Sequence, residues 1–331
     1  MTPTLQRRRL THRLAAIAAV ALLTIGTAHA QDLPPAGKPM RLIVPYAAGG
    51  TSDILGRMLA QRLGERLGRQ VIVDNRAGSG GSIGTEATVR ADPDGSTMLL
   101  HSGAIATEPA LKKSLPYDAL RDLAPVTTAV IGPFALVVNN DLPVKTVPEL
   151  LAYIKANPGK LNYGTPGIGT SVHLTTEYLK VSAGLFAVHI PYRGASLALT
   201  GLMGNDVQFV VDPLATAKKL AESGKVRAIA VTTGQRTDLW PELPTLAEGG
   251  VKGFDAGVWY GLYVPAKTPK ATVDRLNADV VDILNSADMK TWLRGQGLQP
   301  VADKPEQSRK WLAAEIERWR GVVKSAGIKP E

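Results

Sequence analysis

The sequence predicts an α/β fold in two successive lobes, each a sheet flanked by helices, with a hinge and a central cleft. Three observations lead there. Apolar or β-branched runs of strand length alternate with helical segments along the chain. Two small-residue turns of one design, "PYAAGGTSD" and "YGTPGIGTS", each carry such a run into an amphipathic helix. The segments after residue 255, a strand and two helices, are too few for a third domain, so they return to the first unit. The chain then crosses between lobes twice, near residues 135 and 255.

Taken in order, residues 1–30 stand apart. Arg7, Arg8, Arg9 and Arg13 make a basic n-region, "LAAIAAVALLTIGT" an apolar h-region, and Ala28-His29-Ala30 an A-x-A site. This pattern predicts a signal peptide cleaved between Ala30 and Gln31 and export; the apolar run is shorter than the ~20 residues of a membrane span. A Pro/Gly linker follows. Strands are expected at 41–45, 71–74, 97–101 and 135–139, then at 161–163, 187–191, 207–211 and 226–232. Helices are expected at 148–156 and 213–223 between them, and a last strand from Val258 precedes helices at 269–285 and 305–325. The helix at 52–67 carries Ile54, Leu55, Met58, Leu59, Leu63 and Leu67 on one face, the spacing of a helix laid on a sheet. Lobe 1 is therefore expected over 31–135 and 255–331, and lobe 2 over 136–254.

Composition narrows the function. The chain of 331 residues is 44% hydrophobic, enough for a sizeable core, and its length favours two domains. It has no cysteine, which excludes disulfides and thiolate metal sites. The formal charge of +9 falls to +5 when the four signal arginines are removed, a balance that attracts small anions. Aromatic residues are only 5% of the chain, and the basic residues are scattered, so nucleic-acid binding is not expected.

In open α/β sheets, ligands sit at the carboxyl ends of strands, where loops enter helix N-termini. Unpaired N–H groups and the helix dipole favour an anion there without any arginine. Gly49, Gly50, Gly167 and Gly169 allow close backbone approach, and Thr51, Ser52, Thr170 and Ser171 supply caps or hydroxyl donors. Asp53, after the first turn, and Asp212, at the end of "VQFVVD", are candidate acceptors. One such turn is ordinary; two, one per lobe, suggest a divided site. Known chemical motifs fail. "GSGGSIG" and "GIGTSV" lack the third glycine of a dinucleotide loop, no P-loop occurs, "GTSVH" has His173 where a nucleophile elbow needs glycine, and no H-E-x-x-H exists. His101, His173 and His189 read as core or supporting donors, so neither metal nor cofactor is expected.

Several stretches together carry a resemblance: "GKPMRLIVPYAAGGTSDILGRMLAQRL", "VDNRAGSGGSIGTEATVRADPDGSTML", "YGTPGIGTSVHL", "HIPYRGASLALTGLMGNDVQ" and "LPTLAEGGVKGF". Over nearly all of the chain after residue 30 they resemble the substrate-binding receptors of tripartite tricarboxylate transporters, the Bug family. The resemblance implies a two-lobed periplasmic binding protein fold that is not an enzyme. It implies a small organic carboxylate held by the segments Tyr46, Ala47, Ala48, Gly49, Gly50, Thr51, Ser52, Asp53 and Thr165, Gly167, Gly169, Thr170, Ser171, with Asp212 nearby. It also implies a membrane permease as partner and a monomeric receptor. Ala48 stands where the family often has Pro, and Val211 where it often has an aromatic or Met. Two other readings are weighed: an exported α/β enzyme using Ser52 or Ser171, and a receptor that feeds a sensor protein.

Overall fold

The computed structural model describes residues 39–46, 48–192 and 195–330. The expected signal segment and Ala47 lie outside the described residues. Strands β1 (Met40–Val44), β2 (Val71–Asn75) and β3 (Thr97–Ser102) are parallel neighbours in the order β2-β1-β3. β4 (Leu123–Val138) runs through both halves of the molecule. Its first part pairs with β9 (Gly257–Pro265), which closes the first sheet by pairing antiparallel to β3. Its second part pairs with β7 (Phe209–Pro213) and β8 (Arg227–Val231). β5 (Asn162–Thr165) and β6 (Val188–Pro191) extend the second sheet in parallel beyond β7. A short β10 (Gln299–Pro300) pairs with β4 near Val130.

Directions along β4 decide where the site lies. β3 and β4 both run antiparallel to β9, so the carboxyl ends of β1, β2 and β3 point the way β4 travels, towards the second sheet. β7 runs against β4, so the carboxyl ends of β5, β6 and β7 point back towards the first. The two sets face one another. Ser102 is level with Tyr260 and Val130, and Pro213 is level with Phe134, so the gap is four β4 residues or about 13 Å.

Helices α1 (Thr51–Leu67), α2 (Ser82–Val89) and α3 (Ala104–Leu111) follow β1, β2 and β3, and a short α4 (Ala119–Asp122) leads into β4. α5 (Val147–Ala156) opens the second half with a capping box between Thr146 and Glu149. There α6 (Ser171–Ala183), α7 (Ala195–Met203) and α8 (Leu214–Glu222) follow β5, β6 and β7. α9 (Lys270–Asn285), α10 (Ala287–Gly295) and α11 (Pro305–Ser325) pack on the first sheet. Each sheet is covered on both faces, giving four apolar clusters: α1, α9 and α10 cover one face of the first sheet and α3 and α11 the other. α5 and α6, then α7 and α8, do the same for the second. On α1 the buried stripe is Leu55, Leu59 and Leu63; Ile54, read as part of it, is 42% exposed. α11 also reaches across, with Trp319 edge-on to Tyr178 and Arg318 donating to the Asp255 carbonyl.

The chain crosses between the sheets at 132–134 and 256–257. The crossings touch: a Cβ on Gly257 would stand 2.6 Å from the Gly132 carbonyl oxygen, so only glycine fits there.

Candidate ligand cleft

Six helix N-termini open towards the gap, because α1, α2, α3, α6, α7 and α8 each follow a strand whose carboxyl end faces it. A cavity of about 600 Å³ lies there, within the usual range of small-molecule sites. From the first half it takes Tyr46, the loop Ser79–Gly80, Ser102 and the start and end of α3; from the second it takes Ile168, Gly169, Thr170 and Ser171. Trp259 forms part of the floor, with its Nε1 donating to Glu315 at 3.2 Å. A second cavity of about 420 Å³, near Ala124, Thr268 and Arg309, lies at the opposite end of β4 from both turns.

The expected residues fall into three groups. Tyr46, Gly169, Thr170 and Ser171 line the cavity. Ala48, Gly49, Gly50 and Thr51 form an exposed turn that does not line it. Ser52, Asp53, Thr165 and Asp212 are buried, and Gly167 is half-buried.

One expectation needs correction. The glycine amides are not all open donors, because side chains of the same turns take them. Gly49 N–H donates to Asp53 Oδ2 at 2.9 Å, Gly167 N–H to Thr165 Oγ1 at 3.2 Å, and Gly169 N–H to His173 Nδ1 at 3.1 Å. The amides left without an intrahelical acceptor are those of the first two helical residues in each turn, Thr51 and Ser52, and Ser171 and Val172. Asp53 therefore organises its turn: Arg57 also bonds it, at 3.0 Å to Oδ2, and holds its carboxyl below the usual range. Thr165 does similar work in the second turn, with Oγ1 also 2.6 Å from His189 Nε2.

The residues that sequence reasoning missed cluster in the loop before α2. Gly78, Ser79, Gly80 and Gly81 all have positive φ, a run that demands glycine and puts Ser79 in the left-handed region. Lys112, at the end of α3, clamps this loop by donating to the Ser79 carbonyl, to Ser79 Oγ at 3.1 Å and to Ser82 Oγ at 2.6 Å. Ser82 and Tyr117 in turn donate to the buried Glu108. The signal was present as "GSGGSIG", a third glycine-rich turn at a strand end, set aside only because it fits no nucleotide motif.

Electrostatics divide the site. Tyr46 and Ser102 share a hydrogen bond of 2.5 Å, and burial raises the Tyr46 phenol above its usual range. Burial also raises Asp212 to about 7, and its Oδ2 has no partner among the described residues. His189 is lowered to about 4, by burial and then by His173, whose ring stacks at 4.2 Å.

These features match a known family. A family model described as "Tripartite tricarboxylate transporter family receptor" matches residues 55–328. The chain belongs to this receptor family. Protein BugT of Bordetella pertussis is 36% identical over 321 residues, covering 96% of this chain and 98% of BugT. Among solved structures, a protein of R. palustris with adipate has a TM-score of 0.75 at 34% identity, covering 89% of this chain and 99% of its own. MatC from Rhodopseudomonas palustris, with bound malate, has a TM-score of 0.70 at 28% identity, covering 86% and 98%. The periplasmic binding protein BugD scores 0.71 at 33% identity, covering 88% and 99%. The fold is that of a solute-binding receptor, not an enzyme, and the serines agree. Among the described residues no histidine bonds Ser52 or Ser171. His173 Nδ1 takes the Gly169 amide, and the Ser52 hydroxyl lies beside the Tyr260 phenol.

Proposed function

We propose that this receptor captures a small organic carboxylate in the periplasm and delivers it to the membrane permease of a tripartite tricarboxylate-type transporter. The signal segment 1–30 is removed on the way. The lobes comprise 31–135 with 255–331, and 136–254, and they close around the ligand as a monomer. One observation carries the reading: helix N-termini from both sheets converge on a cavity with no acidic side chain among its described lining residues. Such a site attracts an anion by backbone dipoles. The relatives solved with adipate and malate support a carboxylate.

In this reading Tyr46, Thr170 and Ser171 meet the ligand from the cavity wall, Thr51 and Ser52 join them through their amides when the lobes close, and Ala47, Ala48, Gly49, Gly50, Gly167 and Gly169 shape the approach. Asp53 and Thr165 hold the turns. Asp212, buried at the carboxyl end of β7, donates in its protonated form to the ligand or to a bridging water. Thermal-shift screening of the purified protein against small carboxylates tests this, since a ligand of the folded form raises its melting temperature. A panel in which no carboxylate shifts the melt would end the proposal.

A further inference from the structure

The cavity walls bear on which carboxylate is taken. Among the described lining residues there is no Asp, Glu or Arg; the charged side chains are Lys112 and Lys329, and Lys329 is exposed near the end of the chain. The three N–H donors of Lys112 are already directed at Ser79 and Ser82. Most lining hydroxyls are engaged as well. Tyr46 is bonded to Ser102, Thr107 donates to the Ala104 carbonyl at 3.2 Å, and Thr170 donates to the Gly167 carbonyl at 2.8 Å. The remaining wall is apolar, made by Leu111, Ile168, Val258 and Trp259. Ile168 is 65% exposed, an isoleucine held in water at the centre of a polar turn.

Each kind of ligand group meets these walls differently. A first carboxylate finds the helix N-termini and the Lys112 charge. A third would lose its hydration with only the exposed Lys329 to face it among the described lining residues. A ligand hydroxyl would lose water against groups already bonded to one another. Methylene or aromatic carbon, by contrast, gains by covering Ile168 and Leu111.

We infer that this cleft selects carboxylates with an apolar body, aliphatic or aromatic, bearing one or two charges, over tricarboxylates and small hydroxy acids. The inference rests on the receptor reading above and adds the substrate class. Isothermal titration of the purified protein with adipate, benzoate, malate and citrate tests it. Adipate or benzoate is expected to bind at least about tenfold more tightly than malate, with citrate weakest. Equal or tighter binding of malate or citrate overturns the substrate class while leaving the receptor reading intact; binding of none of the four overturns both. Ile168→Ser, at an exposed position that the fold does not need, is expected to weaken the preferred apolar ligand about three- to tenfold and leave malate unchanged. An equal loss for both ligands would show that Ile168 does not read the apolar body, and would also overturn the inference.

Discussion

The backbone N–H of Gly169 donates to Nδ1 of His173, four residues along the chain, at 3.1 Å. The first turn repeats the arrangement, with Gly49 donating to Asp53 at the same spacing and 2.9 Å. Each glycine-rich turn is thus closed by a side chain of the helix it opens, a carboxylate in one lobe and a neutral imidazole in the other. Closing the turns beforehand removes ordering cost from the binding step.

Asp53→Ala is expected to destabilise the fold by about 1–3 kcal/mol, because it frees the Gly49 amide and the Arg57 guanidinium together. The sign of the pH effect follows from the lowered carboxyl pKa. Its stabilisation is present above the unfolded value near 3.8 and is lost as pH falls through the lower folded value. Urea unfolding at pH 7 and pH 3 measures both. A variant as stable as the parent at pH 7 would remove Asp53 from its organising role.

The histidine pair predicts a second acid sensitivity at milder pH. His189 is held neutral down to about 4, whereas an unfolded histidine gains its proton near 6.5. Between those values the unfolded chain binds the extra proton, so stability falls as pH drops from 6.5 towards 4. Protonation of His173 would also take away the acceptor of the Gly169 amide. Asp212 acts in the opposite direction over the same range, so the effect is read as a difference: the urea midpoint of the parent relative to that of His189→Gln is expected to decline from pH 7 to pH 5. A difference that stays flat across this range would show that the pair does not titrate on unfolding.

Much of this was legible in the sequence, and the rest was hidden for identifiable reasons. The alternating strands and helices follow from periodicity. The first half of β4 did not, because "LAPVTTAVIGPF" contains Pro125, Gly132 and Pro133, which read as breakers; the strand tolerates Pro125 because its register with β9 shifts there. Gly49, Gly167 and Gly169 were found as turn residues, but the acceptors that take their amides depend on rotamers that sequence does not give. Lys112 was invisible as a site residue because it reaches the loop at 79–82 only through the packing of α3.

Asp212 separates stability from binding. Its carboxyl is raised to about 7 by burial, so the folded chain holds a proton that the unfolded chain loses above 3.8, and stability declines as pH rises from there towards 7. Asp212→Asn keeps the shape and removes the charge. At pH 8, where the parent's Asp212 is largely ionised, it is expected to gain at least about 1 kcal/mol of stability and to bind the carboxylate more tightly than the parent, because a charge that repels the ligand is gone. Melting curves and titration calorimetry read the two effects. Unchanged affinity would assign Asp212 to the core alone.

The last prediction concerns the hinge. Both crossings are narrow, and Gly132 and Gly257 meet at them with no room for a side chain. Lobe closure must bend the chain at these points, and a ligand favours closure only through contacts made to both lobes. Small-angle scattering is therefore expected to show a smaller radius of gyration with the carboxylate that gives the largest thermal shift. In Gly257→Ala the new methyl meets the Gly132 carbonyl, at 2.6 Å in the unrelaxed geometry, and wedges the crossings apart. The variant is expected to keep its helical circular dichroism, lose the ligand-induced compaction and bind about tenfold more weakly. Compaction equal to the parent's, with the fold intact, would place the bending elsewhere, in the contact of α11 with Tyr178.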